Sequence, residues 1–140
     1  MTVLLLLCCT VAGAEGFEVD GIYYNILSSE DKTVEVTSGG NYSGAVTIPA
    51  SVTYNSITYS VTSIGWGAFN GCGGITSIEI PASVTSIGNR AFDGCTSLTS
   101  IEIPAGVTSI GDEAFERCSS LTSIEIPNSV TSIGEFAFAN

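Results

Sequence analysis

VTSIGNRAFDGCTSLTSIEIPAG, residues 84–106, decides the fold, because the same pattern stands before it and after it without insertion. Units of 23 residues occupy 61–83, 84–106 and 107–129, and a partial unit runs from 130 to 140. Four columns show how strict the pattern is. Ile64, Ile87, Ile110 and Ile133 align, as do Phe69, Phe92, Phe115 and Phe138; Cys72, Cys95 and Cys118 form a third column and Pro81, Pro104 and Pro127 a fourth. A short fixed period of this kind means similar coils stacked on one another, since one coil has too little apolar surface to offset its own ordering entropy.

Within the unit, Leu98-Thr-Ser-Ile101-Glu-Ile103 carries the L-x-x-L-x-L spacing of leucine-rich repeats. A strand there points Ile101 and Ile103 inward and Ser100 and Glu102 outward. Pro104 ends it, having no N–H for the ladder. Val107 and Ile110, three apart, predict a bent return segment rather than a flat strand, and Gly111 permits the turn that follows. The run from Asp112 to Cys118 predicts one short helical turn that puts Phe115 and Cys118 on one side, with acidic residues at its start and Arg117 at its end. The expected fold is a mainly-β repeat solenoid, right-handed, with one short strand and one short helical or 3-10 turn per unit.

The N-terminal part departs from the period. Residues 1–14 predict a signal peptide: an apolar run from Val3 to Leu7 continues through Cys8 and Cys9 to the small residues Ala12-Gly13-Ala14. The run is too short to span a bilayer. Leu6 and Leu7 before the cysteines favour plain secretion over a lipid-modified cysteine. Residues 15–60 predict an N-terminal β-hairpin cap with a degenerate first repeat: Asp20-Gly21 marks a hairpin turn, further turns fall at 28–31 and 38–41, and Val46 to Val52 looks like the end of a unit. The spacing from Pro49 to Pro81 is 32 residues, a nine-residue insertion relative to the later units. No matching cap follows Asn140, and the repeat reads as continuing in a longer product.

Taken together, I-G-x-x-A-F-x-x-C followed by L-x-x-I-x-I-P resembles the BspA-like class of leucine-rich repeats, strongly over residues 61–140 and more weakly over 17–60. The resemblance implies a surface or secreted protein and an adhesive role toward matrix, plasma or microbial-surface proteins. Gly106 stands where other leucine-rich repeats carry Asn.

Composition narrows the chemistry. Three basic against fourteen acidic residues give a net charge of −11, which repels a nucleic-acid backbone along the whole length. The chain contains no histidine, which removes His-assisted nucleophiles and the commonest zinc ligand. Gly65, Gly67 and Gly71 suggest a phosphate loop only superficially, since Arg90 and Glu113 replace Gly67 in the following units; the position reads as a turn surface. Glu79, Glu102 and Glu125 form an outward column, repelling by roughly 0.8 kcal/mol per pair in water at about 5 Å. The column reads as a solubilising stripe, a receptor for Lys or Arg of a partner, or a calcium ligand set that one carboxylate per coil leaves short of ligands. The cysteine column reads as buried thiols rather than disulfides, because three cannot all pair and parallel stacking gives unsuitable Cβ geometry. Tyr23 or Tyr24 is expected in the core, and Trp66 stands where the next units carry Asn89 and Asp112, a solvent position.

The resulting expectation is a non-enzymatic extracellular module, without cofactor or metal, that presents Ser77, Glu79, Ser100, Glu102, Ser123 and Glu125 to an extracellular protein. It involves no nucleic acid and no transmembrane segment, and leaves the oligomeric state open. The alternative is a structural spacer within a longer surface array.

Overall fold

A computed structural model describes residues 16–140; the signal-peptide reading of residues 1–14 lies outside them. The molecule is a mainly-β repeat solenoid built on two parallel ladders. Its strands are β1 (Gly16–Val19), β2 (Ile22–Ser28), β3 (Thr33–Thr37), β4 (Ser43–Thr47), β5 (Ser51–Tyr54), β6 (Ile57–Ile64), β7 (Gly74–Glu79), β8 (Ser86–Ile87), β9 (Ser100–Ile101), β10 (Ser109–Ile110) and β11 (Ser132–Ile133). The larger sheet runs β1-β2-β3-β6-β8-β10-β11, with β5 paired to β6 beside this path, and the smaller runs β4-β7-β9.

The V-T-S-I segments, expected as bent returns, instead form the parallel steps of the larger sheet: Ser63, Ser86, Ser109 and Ser132 stand in register, as do Ile64, Ile87, Ile110 and Ile133. Two-residue strands suffice because side chains reinforce them. Thr85, Thr108 and Thr131 each donate a hydroxyl to the carbonyl of the corresponding Thr one coil earlier, at 3.2–3.3 Å, and the Ser63 and Ser86 hydroxyls meet at 2.7 Å.

The helical turn expected at 112–118 is also not formed; among the described residues there is no helix. Alternate N–H groups that a helix would direct back along its own chain go to the next coil instead, while those between them close isolated i→i+3 turns. Arg90 and Phe92 donate to the carbonyls of Asp112 and Ala114, both at 2.8 Å, and Phe115 donates to Ala137 at 2.7 Å. Left-handed backbone at Gly67, Arg90, Glu113 and Phe136, with φ between 54° and 58°, and again four residues later at Gly71, Gly94 and Arg117, with φ between 56° and 74°, interrupts the helical path in each coil. Phe115 and Cys118 still share one side, because Cys118 closes an i→i+3 turn on the Phe115 carbonyl.

Gly111 has a different role from the one expected. A Cβ there would stand 2.6 Å from the Gly88 carbonyl carbon, and one on Gly88 would stand 2.9 Å from that of Gly65. Neither glycine has a positive φ. The column exists because successive coils touch backbone to backbone at this corner.

The interior consists of rows. Phe69, Phe92, Phe115 and Phe138 stack with near-parallel rings 5.1–5.4 Å apart, the first three fully buried and Phe138 partly exposed. Tyr42 continues the row in front of Phe69 with an edge contact at 4.9 Å. Cys72, Cys95 and Cys118 are buried free thiols. The thiols of Cys95 and Cys118 donate to the carbonyls of Phe69 and Phe92 at 3.3 and 3.2 Å. Burial pushes Cys95 up to about 12, helped by its neighbouring thiols and Asp93, and pushes Cys118 up to about 11.

At the N-terminal end, β1, β2 and β3 form an antiparallel meander, and the Asp20-Gly21 turn has φ values of 51° and 82°, as a two-residue hairpin turn requires. β3 and β4 already lie parallel to β6 and β7, with Thr47 opposite Glu79. The β5–β6 hairpin, turning at Asn55 and Ser56, supplies the extra residues between Pro49 and Pro81. Tyr24 is fully buried and Tyr23 half-buried.

Candidate binding face

The face built by the T-S-I-E-I segments follows from the period-2 alternation of a strand. Ile75, Ile78, Leu98, Ile101 and Ile103 are buried, which turns Glu79, Ser100 and Glu102 outward. Glu79, Glu102, Glu125, Ser100 and Ser123 are exposed and Ser77 is half-buried. Only part of this face is strand. Ser77 and Glu79 belong to β7 and Ser100 to β9, whereas Glu102, Ser123 and Glu125 lie outside any strand. Backbone pairing ends at Ile101, and among the described residues the smaller sheet has no fourth strand.

Two shallow depressions lie along the face. One, of about 520 Å³, is bordered by Ser100, Glu102, Ser123 and Glu125, with Ile126 and Pro127 beside them. The other, of about 450 Å³, lies between Glu79 and Glu102, with Ile78, Ile80 and Pro104 as apolar wall. Each therefore has carboxylates from two neighbouring coils above aliphatic surface. At its N-terminal end the acidic row meets Thr47, whose hydroxyl donates to Glu79 Oε2 at 3.3 Å.

The glutamate column is not where carboxylates converge. Among the described residues, the group whose oxygens all lie within 4.8 Å of one another is Asp93, Glu113 and Glu116, on the turn edge. Arginines already answer its charge. Arg117 makes a two-pronged contact with buried Asp93, Nε to Oδ1 at 2.9 Å and Nη2 to Oδ2 at 2.6 Å, and Arg90 meets Glu113 at 2.6 Å. Asp93 holds the Arg117 guanidinium even more firmly protonated than usual.

The glycine-rich stretch around Gly67 offers no phosphate cradle. The N–H groups of Gly65, Gly67 and Gly71 are spent on the carbonyls of Val36, Asn89 and Asp93. Trp66 is 64% exposed at the solvent position expected for it. In the same column Asn89 Oδ1 accepts the Asp112 N–H and Asp112 Oδ1 accepts the Glu135 N–H, a side-chain ladder that Trp66 cannot join. Two features were not anticipated from sequence: the Asp93–Arg117 pair, whose members lie one coil apart in different positions of the unit, and the unpartnered hydroxyl of Tyr24.

Among the described residues, no helix is long and apolar enough to cross a membrane. Among curated proteins, none matches the chain. Solved structures do. A leucine-rich repeat protein from Bacteroides ovatus shares 42% identity over 88% of this chain and 32% of its own length, with a TM-score of 0.78. A leucine-rich cell surface protein from Faecalibacterium prausnitzii shares 36% identity over 89% of this chain and 34% of its own, with a TM-score of 0.79. A leucine-rich repeat protein from Bacteroides capillosus shares 34% identity over 84% of this chain and 86% of its own, with a TM-score of 0.77. The chain thus spans about a third of the length of the first two. The BspA type leucine-rich repeat region matches residues 47–140 in six copies. With its columns stacked as that repeat requires and most of its length matched, the chain belongs to the BspA-type leucine-rich repeat family.

Proposed function

We propose that the chain is a non-catalytic, extracellular protein-binding module whose contact surface is the face carrying Ser77, Glu79, Ser100, Glu102, Ser123 and Glu125. One observation carries the reading: a row of exposed carboxylates, one per coil, borders aliphatic depressions on a surface whose shape a rigid core fixes. Such a surface suits a partner that brings Lys or Arg heads to the carboxylates and lays their methylene stems on the isoleucines. A surface or secreted location fits the family and the cell-surface neighbour. In this reading the 23-residue unit is the module that sets the carboxylate spacing, and the β1–β3 meander caps the first coil.

Biolayer interferometry against a panel of matrix and plasma proteins tests the proposal. Binding that weakens steeply with salt and is lost when Glu79, Glu102 and Glu125 all become Ala is the expected result. Undiminished binding by the triple variant rejects this face.

A second reading is favoured by the length comparison: a spacer within a longer surface array, since the chain spans only 32% and 34% of two relatives. It predicts that the isolated chain binds nothing in the panel while the full-length product does, through other segments.

A further inference from the structure

The two depressions on the repeat face share Glu102, so they follow one another from coil to coil along the solenoid axis. Two unlike rows run beside them. One is the acidic row of Glu79, Glu102 and Glu125, all exposed. The other comes from the residues that follow each glutamate, where Ala82 and Ala105 are exposed, Pro104 and Pro127 half-buried and Ile126 37% exposed. Positions 80–84, 103–107 and 126–130 contain no charged residue, so this second row is uncharged in every coil and mostly aliphatic. Coils lie 5.1–5.4 Å apart at the phenylalanine row and about 4.8 Å apart where β7 pairs with β9. The three glutamate positions therefore span about 10 Å.

Resting on the reading of this face as the contact surface, we infer that its occupant is a basic amphipathic α-helix of a partner protein, lying along the solenoid axis. Pitch and sidedness both select it. A helix rises about 5.4 Å per turn, so residues i, i+4 and i+7 form one stripe about 10.5 Å long that meets all three glutamates. Same-face residues i, i+2 and i+4 of an extended strand cover about 13.4 Å, and the mismatch grows to about 3 Å by the third coil. A polyproline II segment brings side chains to one side only every third residue, about 9.3 Å apart, and skips the middle glutamate. A strand laid along the depressions also directs a single row of side chains into them. A helix directs two. With Lys or Arg at i, i+4 and i+7, apolar residues at i+1, i+5 and i+8 lie about 100° round its axis and meet the row of Ala82, Pro104, Ala105 and Ile126. The net charge of −11 attracts such a partner from a distance, and the paired rows fix how it seats.

Three synthetic peptides of about 18 residues, long enough to hold a helix, test the inference. The first is Ala-rich, with Lys at i, i+4 and i+7 and Leu at i+1, i+5 and i+8; the second replaces those Leu by Ser; the third carries the same Lys and Leu in strict alternation in a Thr-rich host, the strand pattern. In amide NMR the first peptide should give saturable shifts centred on Glu79–Ala82, Glu102–Ala105 and Glu125–Pro127, with a dissociation constant on the order of 100 μM. Far-UV circular dichroism should show helix gained on mixing, a signal easily read because the described residues contain no helix of their own. The other two peptides should bind at least about tenfold more weakly. Glu102→Gln, an exposed change that leaves the core intact, should weaken the first peptide about threefold. Equal or tighter binding of the alternating or the Ser peptide at the same residues overturns the helical occupant and leaves the face as a contact surface. So does the absence of saturable shifts with every peptide while a matrix or plasma protein still binds through the three glutamates. Shifts scattered over the turn edge, or binding indifferent to Glu102→Gln, overturn the inference and count against the face as well.

Discussion

Replacing Phe92 by Ala should destabilise the fold by about 4 kcal/mol, in the middle of the range for emptying a fully buried aromatic position. Phe92 has no exposed surface and its ring lies between two others, 5.3 Å from Phe69 and 5.1 Å from Phe115, at interplanar angles of 7° and 10°. Each such contact contributes about 0.5–1.5 kcal/mol beyond area burial. Phe138 provides the control. It has one ring neighbour, Phe115 at 5.4 Å, and is 37% exposed, so its loss removes one stack and leaves no closed cavity. For Phe138→Ala the expected cost is about 2 kcal/mol. Urea titration followed by far-UV circular dichroism reads both variants, and with an m-value of about 2 kcal/mol/M their midpoints should differ by about 1 M. Pairs of substitutions sharpen the test. Phe92 and Phe115 touch, so their double variant should deviate from additivity by about 0.5–1.5 kcal/mol, whereas Phe69 and Phe138 are separated by two rings and should add within about 0.5 kcal/mol. Equal costs for Phe92→Ala and Phe138→Ala would refute the claim that the row, rather than each coil separately, stabilises the solenoid.

Further expectations concern the other rows. Gly111→Ala should cost about 1–3 kcal/mol through overpacking against the Gly88–Asn89 backbone, while Gly106→Ala, whose Cβ would meet carbonyl oxygens only at 3.3 and 3.5 Å, should change the urea midpoint little. Arg117→Met should lower the midpoint more than Arg90→Met, because Asp93 is buried and Glu113 is not; equal shifts would argue against the pair's importance. Cys95 and Cys118 have folded-state values of about 12 and 11, above the ordinary 9.0, so they favour folding fully below about pH 9 and progressively less as pH rises toward 12. Replacing both by Ala should flatten the alkaline loss of stability in a pH series of urea titrations. In the native chain Cys95 and Cys118 should react slowly with Ellman's reagent at pH 7 and quickly once unfolded, and fast native labelling of these two thiols would contradict their burial.

The sequence made the rows legible because a constant period places identical side chains over one another whatever the coil's internal path. That is why the Phe queue, the inward Ile101 and Ile103 and the outward Glu102 could be read directly, and Asp20-Gly21 announced its hairpin by turn chemistry. The path inside the coil was less legible. Strands as short as Ser86–Ile87 fall below the length at which alternation shows, and Val107 and Ile110 at a spacing of three suit a bend equally well. Phe115 and Cys118, also three apart, fit a helical turn and an isolated i→i+3 turn alike. What separates the two is where the N–H groups of Arg90 and Phe92 go, and that depends on the next coil rather than on the local residues. The left-handed positions gave no warning, since Arg90, Glu113 and Phe136 occupy them alongside Gly67. The Tyr24 hydroxyl became notable only once two hairpins were set side by side.

Repetition within the chain separates what the fold demands from what it leaves free. The glycine corner is fixed by backbone contact, the phenylalanines by ring packing, and the threonines of V-T-S-I by hydroxyls tied to the preceding coil. At the turn-edge column of Trp66, Asn89, Asp112 and Glu135 the residue changes at every step, although Asn89 and Asp112 each accept an N–H of the next coil there. Glu79, Glu102 and Glu125 are as exposed as that column, and beyond the contact of Glu79 with Thr47 their side chains make no inter-coil hydrogen bond, yet the residue does not change. Like charges one coil apart work slightly against stacking, so folding alone gives no reason to keep all three. A stripe that merely prevents aggregation would be served equally by Lys or by a mixture of signs. Constancy of sign and of side-chain length, at a place where stability gains nothing from either, is what a partner with evenly presented basic groups would require.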